Sequence, residues 1–198
     1  MTDVSFAESL NEKLSAIDSI VWGPFLLIPL LLGTGLFLTI RLAGIQFRYL
    51  AVALRHGLID RNDDGGEGDI SQYQALTTAL AATVGVGNIV GVATAISIGG
   101  PGALFWMWVT AIFGMASKYS EAFLAVRFRT TDAKGEISGG PQYYLHRGFA
   151  EIFGRTGGRV GLVLSIVFAV FAVLASFGIG NMTQGNAVAT QLENSFGV

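Results

Sequence analysis

Long apolar runs alternate with short polar ones along the chain. Runs fall at about 21–40, 75–98, 103–126 and 160–180, and each is near the roughly 20 residues needed to cross a bilayer. The stretches between them, 41–74 and 127–159, hold ten of the twelve lysine and arginine residues and are rich in glycine. This pattern predicts an all-α, polytopic integral membrane protein, with residues 1–198 forming a single membrane domain. Residues 1–20 read as an amphipathic helix, because Leu10, Leu14 and Ile17 recur at helical spacing. From Arg41 to Ile59, Phe47, Leu50, Ala51, Leu54 and Leu58 share a face while Arg48 and Arg55 lie elsewhere. That predicts a helix lying among headgroups. Asp60 to Asp69 (DRNDDGGEGD) reads as a solvated turn, since the ligand spacing of a helix–loop–helix calcium site is missing.

The run from Ala75 to Ile98, ALTTALAATVGVGNIVGVATAISI, has no charge but makes a poor plain helix. Gly85, Gly87 and Asn88 stand at its centre. Each interior glycine costs about 1 kcal/mol relative to alanine. An unsatisfied side-chain amide in hydrocarbon costs roughly 4–8 kcal/mol on a cyclohexane scale. Two readings fit these residues. In one, the helix opens at mid-depth, so that freed carbonyls face a small cation and the next half-helix offers N–H groups to a carboxylate. In the other, an intact helix packs Gly87 and Gly91 against a neighbour. Gly99-Gly100-Pro101-Gly102 then reads as a stop followed by a new helix. Lys118 and Glu121 lie three residues apart in the next run, as an interfacial pair or as a charge facing water. In the last run, Ala172, Ser176 and Gly180 form a small-residue packing face.

Charge sets the expected orientation. Basic residues number one in the tail (Lys13) and four in loop 41–74 (Arg41, Arg48, Arg55, Arg61). The turn 99–102 has none, loop 127–159 has six, and residues 180–198 have none. Four spans with both basic loops in the cytoplasm and the N-terminus outside satisfy this alternation. The composition agrees: 52% of residues are hydrophobic, 13% are charged, and mean hydropathy is +0.56. Soluble domains carry about 25% charged residues.

Several chemistries are excluded. There is no cysteine, so disulfides, thiolate metal sites and a cysteine nucleophile are out. The net charge of −2 leaves no nucleic-acid footprint. No nucleophile elbow, zinc-protease motif or phosphate-binding loop occurs, so no enzyme and no cofactor is expected. Two functional classes remain. One is a secondary transporter, and the other is a non-transporting helical membrane subunit that assembles through small-residue faces.

The motifs favour the first. ALTTALAATVGVGNIVGVATAISIGGPGALFWMW, GMASKYSEAFLAVRFR, GEISGGPQYYL and GIGNMTQGNA resemble, in order, the signature of the alanine/glycine:cation symporter family. The resemblance runs from about Trp22 to Ala189. It implies the N-terminal part of an amino acid–polyamine–organocation fold, the leucine-transporter-like architecture, with segment 75–98 as a broken first core helix. The second inverted repeat would then lie outside these 198 residues. It also implies sodium-coupled symport of alanine or glycine across the cell membrane, with the bilayer and a sodium ion as partners.

The same resemblance implies the site. The carbonyls of Ala81 and Val84 would face one sodium ion. The Thr83 carbonyl and the Asn88 side chain would face another, or the substrate. The N–H groups of Val86 and Gly87, beside Gly85, would meet the substrate carboxylate. Gly180, Asn181 and Gln184 would contribute from the third core helix. Val86 departs from the threonine common in the family, which removes a hydroxyl beside the site.

Overall fold

Proline and glycine set most of the boundaries in the computed structural model, which describes residues 2–59, 70–131 and 133–197. The expected turn Asp60–Asp69 lies outside the described residues. Helix α1 spans Thr2–Val21 and α2 spans Leu27–Arg41. The expected first span, 21–40, therefore starts late as a helix. Pro24 has no N–H to give to the preceding turn, and the chain bends there before α2 begins. The expected amphipathic helix over 41–59 is divided into α3 (Ile45–Arg48), α4 (Leu50–Leu54) and a π-helical turn, Arg55–Ile59.

Helix α5, Gln72–Thr83, opens on a reciprocal cap. The Gln74 N–H donates to Ser71 Oγ at 3.2 Å, and the Ser71 N–H donates to Gln74 Oε1 at 2.9 Å. After a break comes a π-helical turn, Gly87–Gly91, that leads into α6, Val92–Arg127. A short hairpin follows, β1 (Thr130–Thr131) against β2 (Ile137–Ser138), antiparallel with Thr130 opposite Ser138. Helix α7 runs Pro141–Phe177, a π-helical turn spans Gly178–Met182, and α8 is Thr183–Phe196. Among the described residues, Gly87–Arg127 and Pro141–Phe196 are long and apolar enough to cross a membrane, while Leu27–Arg41 and Leu50–Ile59 are shorter apolar helices. The expected stop at residues 99–102 is present inside α6. Gly100 takes φ +57° and ψ −154°, ending one helical direction before Pro101 starts the next.

The chain divides into two compact units. The first holds the residues up to Tyr49 together with Trp106–Ser120. Its centre is a close approach of α2 to the middle of α6. A Cβ on Gly35 would stand 2.8 Å from both the Cβ and the carbonyl oxygen of Phe113, so only glycine fits. Nearby, Ala116 is fully buried. Gln46 is also buried, and its Nε2 donates to Thr39 Oγ1 at 3.0 Å, while Thr39 donates to the Gly35 carbonyl at 2.7 Å. Helix α2 ends in a paired closure, with Ala43 N–H to the Ile40 carbonyl and Gly44 N–H to the Thr39 carbonyl. This closure places Ala43 at φ +51°.

The second unit holds Leu50–Phe105 and the chain from Glu121 onward. It is organised by a reversal inside α7 at Gly154, φ +63° and ψ −148°. The two arms of α7 then lie close. A Cβ on Gly161 would overlap the Leu145 carbonyl oxygen and stand 2.9 Å from Phe149 Cβ. Gly157 meets the Phe149 carbonyl in the same way. Gly157 and Gly161 are spaced as in a small-residue helix crossing, and the structure uses them that way. The first arm of α7 is tied to the end of α6. Arg127 Nη2 donates to Glu151 Oε1 at 2.6 Å, and Arg147 Nη1 donates to the carbonyls of Phe128 and Arg129 at 3.3 and 3.2 Å. Arginine at that point satisfies acceptors that a helix end leaves open.

Two substitutions test these contacts. An L-residue in the left-handed region costs roughly 1 kcal/mol, so Ala43→Gly should stabilise the protein by about 0.5–1 kcal/mol, read as a higher unfolding midpoint in detergent. Gly161→Ala should destabilise it by about 1–3 kcal/mol in the same assay, because the new methyl meets backbone.

Candidate functional site

The interruption expected in segment 75–98 falls at Val84. Helix α5 keeps its register through Thr83, whose hydroxyl donates to the Ala79 carbonyl at 2.7 Å. Val84 then turns extended, with φ −76° and ψ 116°, although its N–H still reaches the Leu80 carbonyl at 3.0 Å. Beyond that point the chain no longer runs along the α5 axis. The carbonyls of Ala81 and Ala82 lose the donors that a continued helix would supply. Gly85 forms a bend, and Val86 carries the chain into the π-helical turn that contains Gly87 and Asn88.

Asn88 closes the gap. Its Nδ2 donates to the Thr83 carbonyl at 2.7 Å, and its backbone N–H donates to the Gly85 carbonyl at 3.0 Å. One side chain from the second half-helix therefore holds the last carbonyl of the first. This is the amide the sequence reading found costly in hydrocarbon, and the break gives it an acceptor. The side-chain oxygen of Asn88 remains an acceptor, as do the Ala81 and Ala82 carbonyls that lose their helical donors. That is an oxygen-rich, uncharged arrangement, of the kind that suits a hard monovalent cation more than a transition metal. Among the described residues no cluster of histidine, cysteine and carboxylate side chains forms a metal site.

The other arm of the site comes from the end of α7. Gly180 and Asn181 lie in the π-helical turn Gly178–Met182, and Gln184 lies in the first turn of α8. Gln184 Nε2 donates to the Gly180 carbonyl at 3.2 Å. The same amide stands against the break, since a Cβ on Gly85 would lie 3.6 Å from both its Nε2 and its Oε1. So Gly85 and Gln184 meet, Thr83 and Asn88 meet, and Gly180 joins through Gln184. Ala81 sits on the last turn of α5, and Asn181 sits within the second π-helical turn. Below them Val86, Ile89 and Val90 face Ala187, Val188, Gln191 and Leu192 across a groove of about 380 Å³.

Sequence reasoning missed the α8 side of this groove and the second π-helical turn. A signal for the turn was present: Gly85-Val86-Gly87-Asn88 recurs as Gly178-Ile179-Gly180-Asn181, and each copy lies where regular α-helix gives way. The absence of cysteine makes the approach of Gly85 to Gln184 easy to test. The pair Gly85→Cys with Gln184→Cys should give one intramolecular bridged peptide with a short bis-maleimide. Gly85→Cys with Ser195→Cys, three turns further along α8, should give none.

The sequence model of the sodium:alanine symporter family matches residues 7–198. A sodium/alanine symporter from Methanococcus maripaludis is 53% identical over 184 residues, which cover 93% of this chain and 39% of that protein. An uncharacterized transporter from Haemophilus influenzae is 52% identical over 191 residues, 96% of this chain and 39% of its own length. A probable sodium/glutamine symporter from Bacillus subtilis is 40% identical over 192 residues, 95% of this chain and 37% of its own length. The chain thus spans about two fifths of the length of these relatives. The alternative of a non-transporting subunit is not favoured by these matches.

Proposed function

Because the chain belongs to the sodium:alanine symporter family, we propose that it supplies the first half-site of a sodium-coupled amino-acid symporter with alanine or glycine as substrate. The observation that carries this reading is the helix break at Val84, spanned by the Asn88 amide and faced by Gln184. In this reading the main-chain oxygens of Ala81, Thr83 and Val84, with the Asn88 side chain, hold sodium. The N–H groups of Val86 and Gly87 begin the second half-helix and receive the substrate carboxylate, where the helix dipole favours negative charge. Gln184, Gly180 and Asn181 close the substrate side.

Coupling follows from electrostatics. The site has no charged side chain of its own, so a cation among carbonyl dipoles and a carboxylate at N–H groups each lower the cost of placing the other at mid-membrane. Each ligand strengthens the other's binding, and by linkage the effect is reciprocal. The protein sits as a multi-pass protein in the cell membrane, with both basic loops in the cytoplasm and the N-terminus outside. Sodium is a transported ion here and not a resident cofactor.

The test is uptake of labelled alanine and glycine into proteoliposomes by the full-length protein that carries this segment, with and without a sodium gradient. Asn88→Ala should reduce sodium-driven uptake by more than about tenfold, in line with 2–4 kcal/mol for losing a charge-assisted contact and leaving its partner unpaired, while membrane insertion stays intact. Uptake with unchanged sodium dependence in that variant would remove the site assignment.

A further inference from the structure

We propose that Arg155 and Arg159, at the start of the second arm of α7, form a docking site for the phosphate of an anionic phospholipid, whose acyl chains run down the apolar stripe below them. Both arginines are exposed, and among the described residues neither makes an ion pair or a side-chain hydrogen bond. They are four residues apart, so the two guanidinium groups share one helix face. The carboxylate one turn earlier, Glu151, is already held by Arg127.

The stripe continues this face. Leu162, Ile166, Val170 and Val173 fall within about 80° of the two arginines at 3.6 residues per turn. They are 45%, 55%, 52% and 58% exposed. The face that packs lies roughly 120° round the helix. There Gly157, Gly158 and Gly161 meet the first arm and Ser165 is buried, with the small residues Ala172 and Ser176 further along the same side. Among the described residues, contacts are thus made on the small-residue side, while Leu162, Ile166, Val170 and Val173, topped by two cations, lie on another face. A surface with a phosphate-binding end and a hydrocarbon-binding length complements one phospholipid molecule. The charge rule places this end of the helix at the cytoplasmic leaflet, where anionic lipids concentrate.

The proposal rests on the membrane orientation given above but not on transport. It is tested by native mass spectrometry of the full-length protein that carries this segment, in detergent with equal amounts of phosphatidylglycerol and phosphatidylcholine and with neither sodium nor amino acid present. Failure here therefore leaves the uptake reading untouched, and failed uptake leaves this reading untouched. At roughly fivefold attraction per arginine, phosphatidylglycerol adducts should exceed phosphatidylcholine adducts by about 25-fold. R155Q with R159Q should bring the ratio near one, and R155K with R159K should keep most of it. R41Q with R48Q removes the same charge elsewhere and should change it little. Three results overturn the proposal: no preference in the native chain, an equal loss in R41Q with R48Q, or displacement of the lipid by an equal concentration of inorganic phosphate.

Discussion

One hydrogen bond reconciles a severed helix with a non-aqueous setting: Asn88 Nδ2 to the Thr83 carbonyl at 2.7 Å. Water cannot reach a break at membrane depth to satisfy its polar groups, so the protein must do so itself. Here the second half-helix supplies the donor, and it does so from a side chain. The last carbonyl of α5 is thereby satisfied without a main-chain donor, and the Gln184 amide stands 3.6 Å from where a Cβ on Gly85 would be.

Glycine does two opposite jobs along this chain. At Gly35 and Gly161 it allows helices to touch main chain to main chain, in the two separate units. At Gly100 and Gly154 it supplies a backbone conformation that side-chained residues avoid, and in each case a helix changes direction. The small burial of large apolar side chains fits the same picture. Among the described residues Ala116 is the buried apolar residue, while leucine, isoleucine and phenylalanine on α2, α6 and α7 are widely exposed. Order inside each unit comes from small residues and hydrogen bonds, as expected where lipid removes the hydrophobic drive between helices.

Much of this was legible in the sequence. The conflict between an uncharged run and Gly85, Gly87 and Asn88 left an opened helix as one of two readings, and Gly99–Gly102 announced the change of direction at Gly100. Both are local: the residue types alone make regular helix expensive. The late start of helix within the first span follows from Pro24, which hydropathy does not register as a missing donor. The amphipathic reading of 41–59 overestimated continuity, since periodicity says which side a residue takes and not whether the main chain stays intact. The amide-rich stretch 180–186 was compatible with a solvent-facing end or with the same cavity as Asn88, and the resemblance singled out Gln184. No spacing rule links residues about a hundred positions apart, and the repeated glycine–asparagine tetrad became meaningful only when both copies were seen at π-helical turns.

Gly100 and Gly161 differ in one further respect. Gly161 is jammed, with backbone and side-chain atoms where its own side chain would be, whereas nothing lies within 4 Å of that position at Gly100. A side chain at position 161 would push two helix arms apart, whereas one at position 100 would be opposed by its own backbone conformation and by nothing around it.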